Sequence, residues 1–360
     1  MNSANNFENI IFVGNFALPD VNAAAVRVQA VRETLSGFDA EFICTKEVKN
    51  YVRLIFEVIR RKRKNSIIWL YNPNVISVLL FNTIKTCSGT KVVIDITEKL
   101  DSRPVNVKKA LKFLSGHLVK KMLTINDGLI VSSVYSSKIH FNKNTLVLPT
   151  YLPSALSIPP KEAKKEKVII YFGSPFALQK SLLMKDRVYI KERLDLLVKG
   201  FDVADRNDWR LFLVGVNKTE FLDVFPDLDD IVRDNTNICF FGRLHRAEVL
   251  KMVASSSFSF CVRDDKDGMR IGFPTKVFES VAVGTRVIVN DTSDVMRYLT
   301  NYDNCFLVSE RDFLTPNSIF QQLDKIVSHS DSEITVPSQC RPSFWRESLM
   351  AFLSRIRDKG

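Results

Sequence analysis

The sequence predicts an α/β protein built from two doubly wound domains, each a parallel sheet wrapped by helices. Short apolar runs typical of buried strands alternate with segments of helical periodicity, which favours parallel sheets. The alternation stops at a proline-rich stretch and then restarts. With 360 residues, the chain also exceeds the length of one typical domain core. The expected architecture has two Rossmann-like domains whose sheets face a central cleft.

The first domain is predicted over residues 1–150. Its helices are expected near 22–36, 50–64, 74–86, 106–123 and 134–140. Its strands are expected at Ile10–Gly14, Ala40–Cys44, Ile67–Leu70, Val92–Asp95, Gly128–Ser132 and Leu146–Leu148.

A linker is predicted at residues 151–167, because LPTYLPSALSIPPKEAKKEK carries four prolines and then a run of charges. The second domain is predicted over residues 168–335, followed by a C-terminal segment, 336–360. The strands of the second domain are expected at Val168–Phe172, Leu211–Gly215, Ile238–Phe241, Phe258–Val262, Val287–Val289 and Cys305–Val308.

The composition and the absence of certain motifs predict the location of the protein and disfavour several classes of site and enzyme. No apolar run is long enough for a membrane span, and the polar N-terminus has no secretion signal, so a cytoplasmic location is expected. The six cysteines form no CxxC pair and the four histidines show no metal-ligand spacing, so reduced thiols and no metal are expected. Neither GxGxxG nor GxxxxGK[ST] occurs, which disfavours dehydrogenases and P-loop enzymes.

The positive charge is concentrated in the first half of the chain. Residues 1–160 hold 21 Lys and Arg against 11 Asp and Glu, whereas residues 161–360 are nearly balanced. The segments 51–64 and 107–123 mix apolar residues with cations, so as helices they would suit an anionic membrane surface. The alternative is that the charges only solvate two surface helices. No aromatic-interleaved basic motif supports a nucleic-acid partner.

The segment 272–291, GFPTKVFESVAVGTRVIVND, predicts a loop, a helix and a strand. Gly272 permits a turn, Pro274 suits a first helical turn, and the free N–H groups of that turn form an anion site. Glu279 is placed one turn further along, where its carboxylate would accept hydrogen bonds from a sugar diol. The alternative, given equal weight, is an ion pair with Lys276 on a solvated face.

Together these features resemble the GT-B glycosyltransferases, specifically the retaining glycosyltransferase family 4. The donor motif of that family has two glutamates separated by seven residues, with Gly-x-Pro directly after the first. Glu279 matches the second glutamate, which holds the nucleotide ribose, while Ile271 replaces the first. The resemblance implies that Gly272, Phe273 and Pro274 form the donor loop, and that the backbone N–H groups of Thr275 and Lys276 meet the diphosphate.

Two further stretches of the second domain resemble the donor site of that family. In YFGSPFALQKSLLMKD, the strand ends at Gly173 and Ser174, and the following loop delivers a lysine to the diphosphate. The resemblance assigns this role to Lys185, with Lys180 as the competing candidate. In the stretch from residue 240 to 243, Gly242 and Arg243 would line the nucleotide pocket.

The first domain resembles the family more weakly. The loop PDVNAAAVR places Asn22 and Arg27 on the acceptor side. Asp95 and Glu98 stand where many members have a histidine. Either would bind an acceptor hydroxyl as a base, or would simply cap the next turn. The segment 342–356 is similar to the C-terminal helix that crosses back onto the first domain.

The resemblance implies a hexosyltransferase-type enzyme that moves a sugar from a nucleotide-sugar to a glycan or lipid-linked acceptor. The predicted catalytic residues are Lys185, Glu279 and Asp95, with no cofactor and no metal. The implied setting is bacterial surface polysaccharide synthesis at the inner face of the cell membrane. An isomerase such as a sugar-nucleotide 2-epimerase, and a non-catalytic partner subunit, remain alternatives. Asp265 and Asp267 form the Asp-x-Asp signature of metal-dependent GT-A enzymes, but neighbouring cations offset their charge.

Overall fold

The computed structural model describes most of the chain, with gaps in both halves. It covers residues 9–16, 23–45, 51–63, 65–98, 123–140, 142–154, 166–176, 190–205, 207–264, 267–299, 305–309, 312 and 336–357.

A six-stranded parallel sheet organises the first half of the chain, in the order β2-β1-β3-β4-β5-β6. Its strands are β1 Asn9–Gly14, β2 Asp39–Cys44, β3 Ile67–Tyr71, β4 Lys91–Ile96, β5 Gly128–Val131 and β6 Thr145–Val147. The helices described between them are α1 Ala23–Thr34, α2 Tyr51–Arg61, α3 Val75–Ser88 and α4 Val134–Ile139.

A second six-stranded parallel sheet follows, in the order β12-β11-β10-β7-β8-β9. Its strands are β7 Glu166–Phe172, β8 Arg210–Val214, β9 Ile238–Gly242, β10 Ser256–Cys261, β11 Arg286–Val289 and β12 Cys305–Leu307. Its helices are α5 Leu194–Val203, α6 Lys218–Val224, α7 Asp229–Asp234, α8 Arg246–Ser255, α9 Asp267–Ile271, α10 Thr275–Ala282 and α11 Val295–Leu299.

The central strands are buried on both faces, which explains their continuous apolar sequences. All residues of β1, β3 and β10 are buried, as expected for a parallel sheet covered by helices on each side. The prediction of two doubly wound α/β domains is confirmed, and each of the twelve predicted strands is present. The helix predicted at 106–123 lies outside the described residues, apart from its last position.

The chain divides into two units. The first contains residues 1–155, 270–273 and 341–360, and the second contains residues 156–269 and 274–340. The C-terminal helix α12, Pro342–Arg357, therefore belongs to the first unit. Its Arg346 donates hydrogen bonds to the Thr34 and Ser36 carbonyl oxygens at 2.9 and 3.0 Å, and Phe352 packs against Gly128 of β5. Most of the predicted linker lies outside the described residues.

Within the described parts of the chain, no helix combines the length and the apolar character needed to span a bilayer.

Candidate donor site

The helix α10 begins in the way an anion site requires. Pro274 is its N-cap residue, directly before the first helical turn, and its side chain makes no capping hydrogen bond. The N–H of Val277 donates to the Pro274 carbonyl at 3.1 Å. The backbone N–H groups of Thr275 and Lys276, in contrast, lie at the helix start, where such groups bind anions. Gly284, with a φ of +72°, lies just past the helix end and fits the left-handed position predicted for it.

Three glycines with positive φ lie at the carboxyl ends of neighbouring strands. Gly173 follows β7, Gly215 follows β8, and Gly242 ends β9, with φ values of +128°, +98° and +61°. The N–H of Gly173 donates to the Val214 carbonyl at 3.1 Å, and the N–H of Gly215 donates to the Gly242 carbonyl at 2.5 Å. Ligands of open parallel sheets bind at this edge, where the backbone is left bare of side chains.

We expect Gly215→Ala to destabilise the protein strongly. A Cβ at this position would lie 2.0 Å from the Gly173 carbonyl oxygen, so backbone must move. Residues forced into such backbone conformations cost about 1–3 kcal/mol before any clash is counted. Gly37→Ala is the matched control, because Gly37 has a φ of +113° but no atom within 4 Å of an added Cβ. Thermal unfolding of both variants is the measurement, and equal shifts in Tm would contradict the role of the Gly173 contact.

Lys276, in the first turn of α10, is paired with a buried glutamate that precedes α5. Its Nζ lies 3.1 Å from Oε1 of Glu192, and Glu192 is 2% exposed. The Tyr171 hydroxyl donates to the second oxygen of Glu192 at 3.1 Å, and the Arg263 Nε lies 3.7 Å from the first. The Lys276 ammonium also lies 4.3 Å above the centre of the Tyr171 ring.

The surrounding cations keep Glu192 ionised. Burial acts to raise the pKa of its carboxyl group, but Lys276 and Arg263 outweigh burial and the net pKa is lowered. Burial, reinforced by the charge of Glu192, raises the pKa of Tyr171 well above its usual value, so the phenol stays neutral. One buried carboxylate thus lies close to two cations, Lys276 and Arg263.

Glu279, the other charged residue of α10, is paired with Arg246 at the start of α8. An Arg246 guanidinium nitrogen lies 2.5 Å from the Glu279 carboxylate, and both side chains are largely buried, at 20% and 14% exposure. Burial raises the pKa of Glu279, and the attraction of Arg246 offsets this only in part. The alternative pairing of Glu279 with Lys276 is not adopted, since Lys276 is paired with Glu192.

Some of the other predicted donor residues lie at the carboxyl edge of the second sheet, and others lie outside the described residues. Ser174 and Arg243 are exposed just after β7 and β9. Lys185 and its competitor Lys180 lie outside the described residues, so their roles stay predictions.

Residues 270–273, which precede α10, are held within the first unit. The hydroxyl of Ser132 donates to the Ile271 carbonyl at 2.9 Å, and that of Ser133 donates to the Arg270 carbonyl at 2.8 Å. Ile271 and Phe273 are buried, and a Cβ on Gly272 would lie 2.5 Å from the Thr97 carbonyl oxygen. Ile271, which stands where the resemblance expects a glutamate, is thus an apolar anchor.

Two of the predicted acceptor-side residues form an ion pair in the core of the first unit. Arg27 and Asp95 are each 1% exposed and lie 2.8 Å apart. Asp95 also accepts a hydrogen bond from the Trp69 indole at 3.3 Å, and Arg27 donates to the Leu148 and Pro149 carbonyls. This arrangement favours a structural role for Asp95, because its oxygens are occupied by neighbouring donors.

The remaining acceptor-side residues predicted from the sequence are Glu98 and Asn22. Glu98 is exposed two residues beyond β4, and Asn22 lies outside the described residues. Of the Asp-x-Asp residues, Asp265 and the side chain of Asp267 are also not described. Among the described side chains, no cluster of three metal-ligating residues occurs.

The sequence prediction missed Glu192, Arg246 and Gly215. Glu192 and Arg246 each lie at the start of a helix other than α10, so only the folded chain brings them to Lys276 and Glu279. For Gly215 the signal was present, because a glycine follows the apolar strand β8 as it does at β7.

Residues 175–333 match the family model of glycosyl transferases group 1. This range contains Glu192, Arg246, Lys276 and Glu279. No protein with a curated description is significantly similar in sequence.

Solved structures share the fold over nearly the whole chain at low sequence identity. Sucrose-phosphate synthase from Thermosynechococcus elongatus is 13% identical with a TM-score of 0.61, covering 98% of each chain. Anabaena HepE, solved in complex with UDP, is 11% identical with a TM-score of 0.58, covering 97% of this chain and 98% of that one. The lipopolysaccharide outer core galactosyltransferase WaaB is 13% identical with a TM-score of 0.56, covering 96% and 99%. These likenesses show that the chain has the GT-B fold.

Proposed function

We propose that this chain, a glycosyltransferase with the GT-B fold, moves a sugar from a nucleotide-sugar donor to a glycan or lipid-linked glycan acceptor. The observation that carries the proposal is the start of α10 within the matched range, where a helix N-terminus with proline as its N-cap residue presents Lys276 and Glu279 in its first two turns. The reaction breaks the bond between the anomeric carbon and the diphosphate. The acceptor oxygen then bonds to that carbon and loses its proton, and a nucleoside diphosphate leaves.

The elements of the second unit can supply what this chemistry needs. The positive end of α10 and the Lys276 ammonium would stabilise charge on the departing diphosphate. Glu279 would orient the donor through its ribose hydroxyls. Lys185 is proposed, by the family resemblance, as a further cation at the diphosphate. Retention of anomeric configuration is proposed on the same resemblance.

A donor screen tests the proposal directly. Thermal unfolding is measured with UDP-, GDP- and dTDP-sugars, because a ligand that binds the native state raises Tm. The stabilising donor is then incubated alone with the protein. Slow release of nucleoside diphosphate supports a transferase, whereas conversion of the sugar supports an epimerase. No stabilisation and no turnover would support a non-catalytic subunit, the alternative that the buried Ile271 keeps open.

We expect turnover to persist in excess EDTA. The positive helix terminus and the Lys276 ammonium would supply the charge that a divalent metal supplies in other glycosyltransferases. Release of nucleoside diphosphate is measured before and after chelation, with magnesium or manganese restored in parallel. Loss of turnover that is recovered with metal would contradict this prediction and shift attention to Asp265 and Asp267.

The exposed face of α2 supports an acceptor at an anionic membrane surface. Val52, Phe56 and Ile59 are 76%, 66% and 55% exposed, and their spacing places them on one stripe of the helix. Leu54 and Val58, on the opposite face, are buried in the core. An exposed apolar stripe beside cations is the pattern of helices that lie in a membrane interface.

The cations beside this stripe are partly neutralised. Arg60 and Arg61 pair with Glu57 at 3.1 and 3.4 Å, and Arg63 pairs with Asp39 at 2.7 Å. The surface still carries more cations than carboxylates, since Arg53 and Lys62 add two positive charges. We propose peripheral binding at the inner face of a bacterial cell membrane, with surface polysaccharide as the product. The galactosyltransferase WaaB, a lipopolysaccharide enzyme by its name, is consistent with that setting.

We expect the double variant Phe56→Ser, Ile59→Ser to weaken binding to vesicles of phosphatidylglycerol and phosphatidylcholine at least tenfold. Full burial of such a side chain contributes about 1.5–3 kcal/mol, so partial insertion of two side chains exceeds the ~1.4 kcal/mol of a tenfold change. Phe344→Ser is the control, because Phe344 is also exposed, at 45%, but lies on α12. Failure of the parent protein to sediment with these vesicles at low salt would refute the surface role of α2.

A further inference from the structure

Glu192 is a buried carboxylate of the second unit that lies close to two cations, Lys276 and Arg263. It holds the Lys276 ammonium at 3.1 Å through one oxygen and accepts from the Tyr171 hydroxyl at 3.1 Å through the other. Arg263 approaches the first oxygen at 3.7 Å. Because its ammonium contacts this buried carboxylate, Lys276 is held in one position by Glu192.

The Lys276 ammonium is thereby fixed beside the end of a central strand. A Cβ on Gly173, the residue after β7, would lie 3.0 Å from the Lys276 Nζ, so the ammonium lies directly against the backbone there. Lys276 is also more accessible than its partner, with a side chain 12% exposed against 2% for Glu192. An anionic group that reaches the carboxyl end of β7 would therefore contact the Lys276 ammonium rather than the more buried Glu192 carboxylate.

We propose that Glu192 is a positioning residue that holds the Lys276 side chain against the diphosphate of the donor. The inference rests on the proposed function and names a role for a side chain, whereas the family resemblance involves only the backbone of Lys276. A long, flexible lysine that is fixed before the ligand arrives needs no reorganisation as charge develops on the leaving group. Loss of Glu192 leaves the cation present but mobile, which lowers turnover more than ground-state binding.

The test is a double-variant cycle of Glu192→Gln and Lys276→Met, with donor hydrolysis as the readout. We expect Lys276→Met to lower kcat about 100-fold. We expect Glu192→Gln to lower kcat about tenfold with less than a threefold change in KM. In the Lys276→Met background, Glu192→Gln should then have no further effect, because residues that act through each other are not additive.

Glu192→Asp provides a variant that retains the charge. It shortens the side chain by one methylene, and we expect a kcat between those of the parent and Glu192→Gln. A purely structural role predicts instead that kcat per folded molecule is unchanged in each Glu192 variant, with folded protein quantified by thermal unfolding. Equal tenfold losses with and without Lys276, or parent-level turnover in Lys276→Met, would overturn the proposal.

Chemical labelling tests the tether without any ligand. Acetic anhydride labelling, quantified by mass spectrometry, should be slow at Lys276 in the parent and several times faster in Glu192→Gln. Lys199 is the internal control, because it forms a surface pair with Asp227 and its side chain is 40% exposed. Labelling of Lys276 as fast as that of Lys199 in the parent would overturn this inference alone. A parent that binds and turns over no sugar nucleotide would instead overturn the proposed function.

Discussion

Arg27→Met is expected to lower the free energy of unfolding of the first unit by about 3–5 kcal/mol, the range for removal of one partner of a buried ion pair. The variant leaves the Asp95 carboxylate, 1% exposed, without the guanidinium that lies 2.8 Å away. Burial acts to lower the pKa of Arg27, but Asp95 outweighs it and the net pKa is raised, so the cation is stabilised where it lies. The Leu148 and Pro149 carbonyls also lose a donor.

Hydrogen exchange of peptides from β4 measures this change within the first unit. Exchange through global opening should accelerate on the order of 100-fold or more, since each ~1.4 kcal/mol corresponds to a factor of ten. Arg60→Met is the matched control: Arg60 pairs with Glu57 but its side chain is 63% exposed, and such surface pairs contribute about 0–1 kcal/mol.

A double variant of this ion pair distinguishes a structural role of Asp95 from a role as the base that deprotonates the acceptor. The double variant Arg27→Met, Asp95→Leu removes both charges, and we expect it to recover at least half of the lost stability. If Asp95 is a base, this stable double variant should have no transferase activity even though it is folded. Exchange rates in Arg27→Met that match those of Arg60→Met would show that the buried pair contributes little.

The fold was predictable because the strands of parallel sheets are buried on both faces. Runs such as Ile67–Leu70 and Val287–Val289 are continuously apolar, and each is followed by polar or turn residues. Strand β7 begins with the exposed residues Glu166 and Lys167, which the prediction left out because solvated ends lack an apolar signal. The pattern of buried strands therefore gives their number and centres, but their ends depend on neighbours.

The site was predictable only where its residues are close in sequence. Lys276 and Glu279 belong to one motif, whereas their partners Glu192 and Arg246 lie 84 and 33 positions earlier. In the sequence alone, a charged residue near the start of a helix, such as Glu192 before α5 or Arg246 in α8, is compatible with an ordinary solvated helix start. Similarly, Arg27 in the small-residue run AAAVRVQAV is a lone cation on an apolar helix, and only the fold pairs it with Asp95.

Glu279→Ala is expected to lower the affinity for the nucleoside diphosphate or its sugar at least tenfold while the second unit stays folded. Glu279 is placed one turn into α10, and hydrogen bonds to a charged group contribute about 1.5–3 kcal/mol. Its ion pair with Arg246 holds the carboxylate in place through one oxygen, Oε1. The affinity is measured by calorimetry with the ligand that the donor screen identifies.

Variants of the Glu279–Arg246 ion pair distinguish two causes of a loss in affinity. One is loss of a direct contact between Glu279 and the ribose, and the other is loss of the ion pair as a structural unit. If Glu279 binds the ribose directly, Glu279→Gln should bind with intermediate affinity, since the amide oxygen still accepts hydrogen bonds. Arg246→Met should weaken binding less than Glu279→Ala, because it removes only the group that orients the carboxylate. Equal losses in Arg246→Met and Glu279→Ala would indicate that the pair acts as a structural unit.

The pH dependence of binding gives an independent check on the same carboxylate. Burial raises the pKa of Glu279 in the free protein, and a ligand that needs the ionised carboxylate must bind more weakly as pH falls through that raised pKa. The weakening should begin at a higher pH than an ordinary glutamate would produce, and it should be absent in Glu279→Gln. Parent and Gln variants with the same pH profile and the same affinity would return Glu279 to a structural partner of Arg246, and the ribose contact would have to come from another residue.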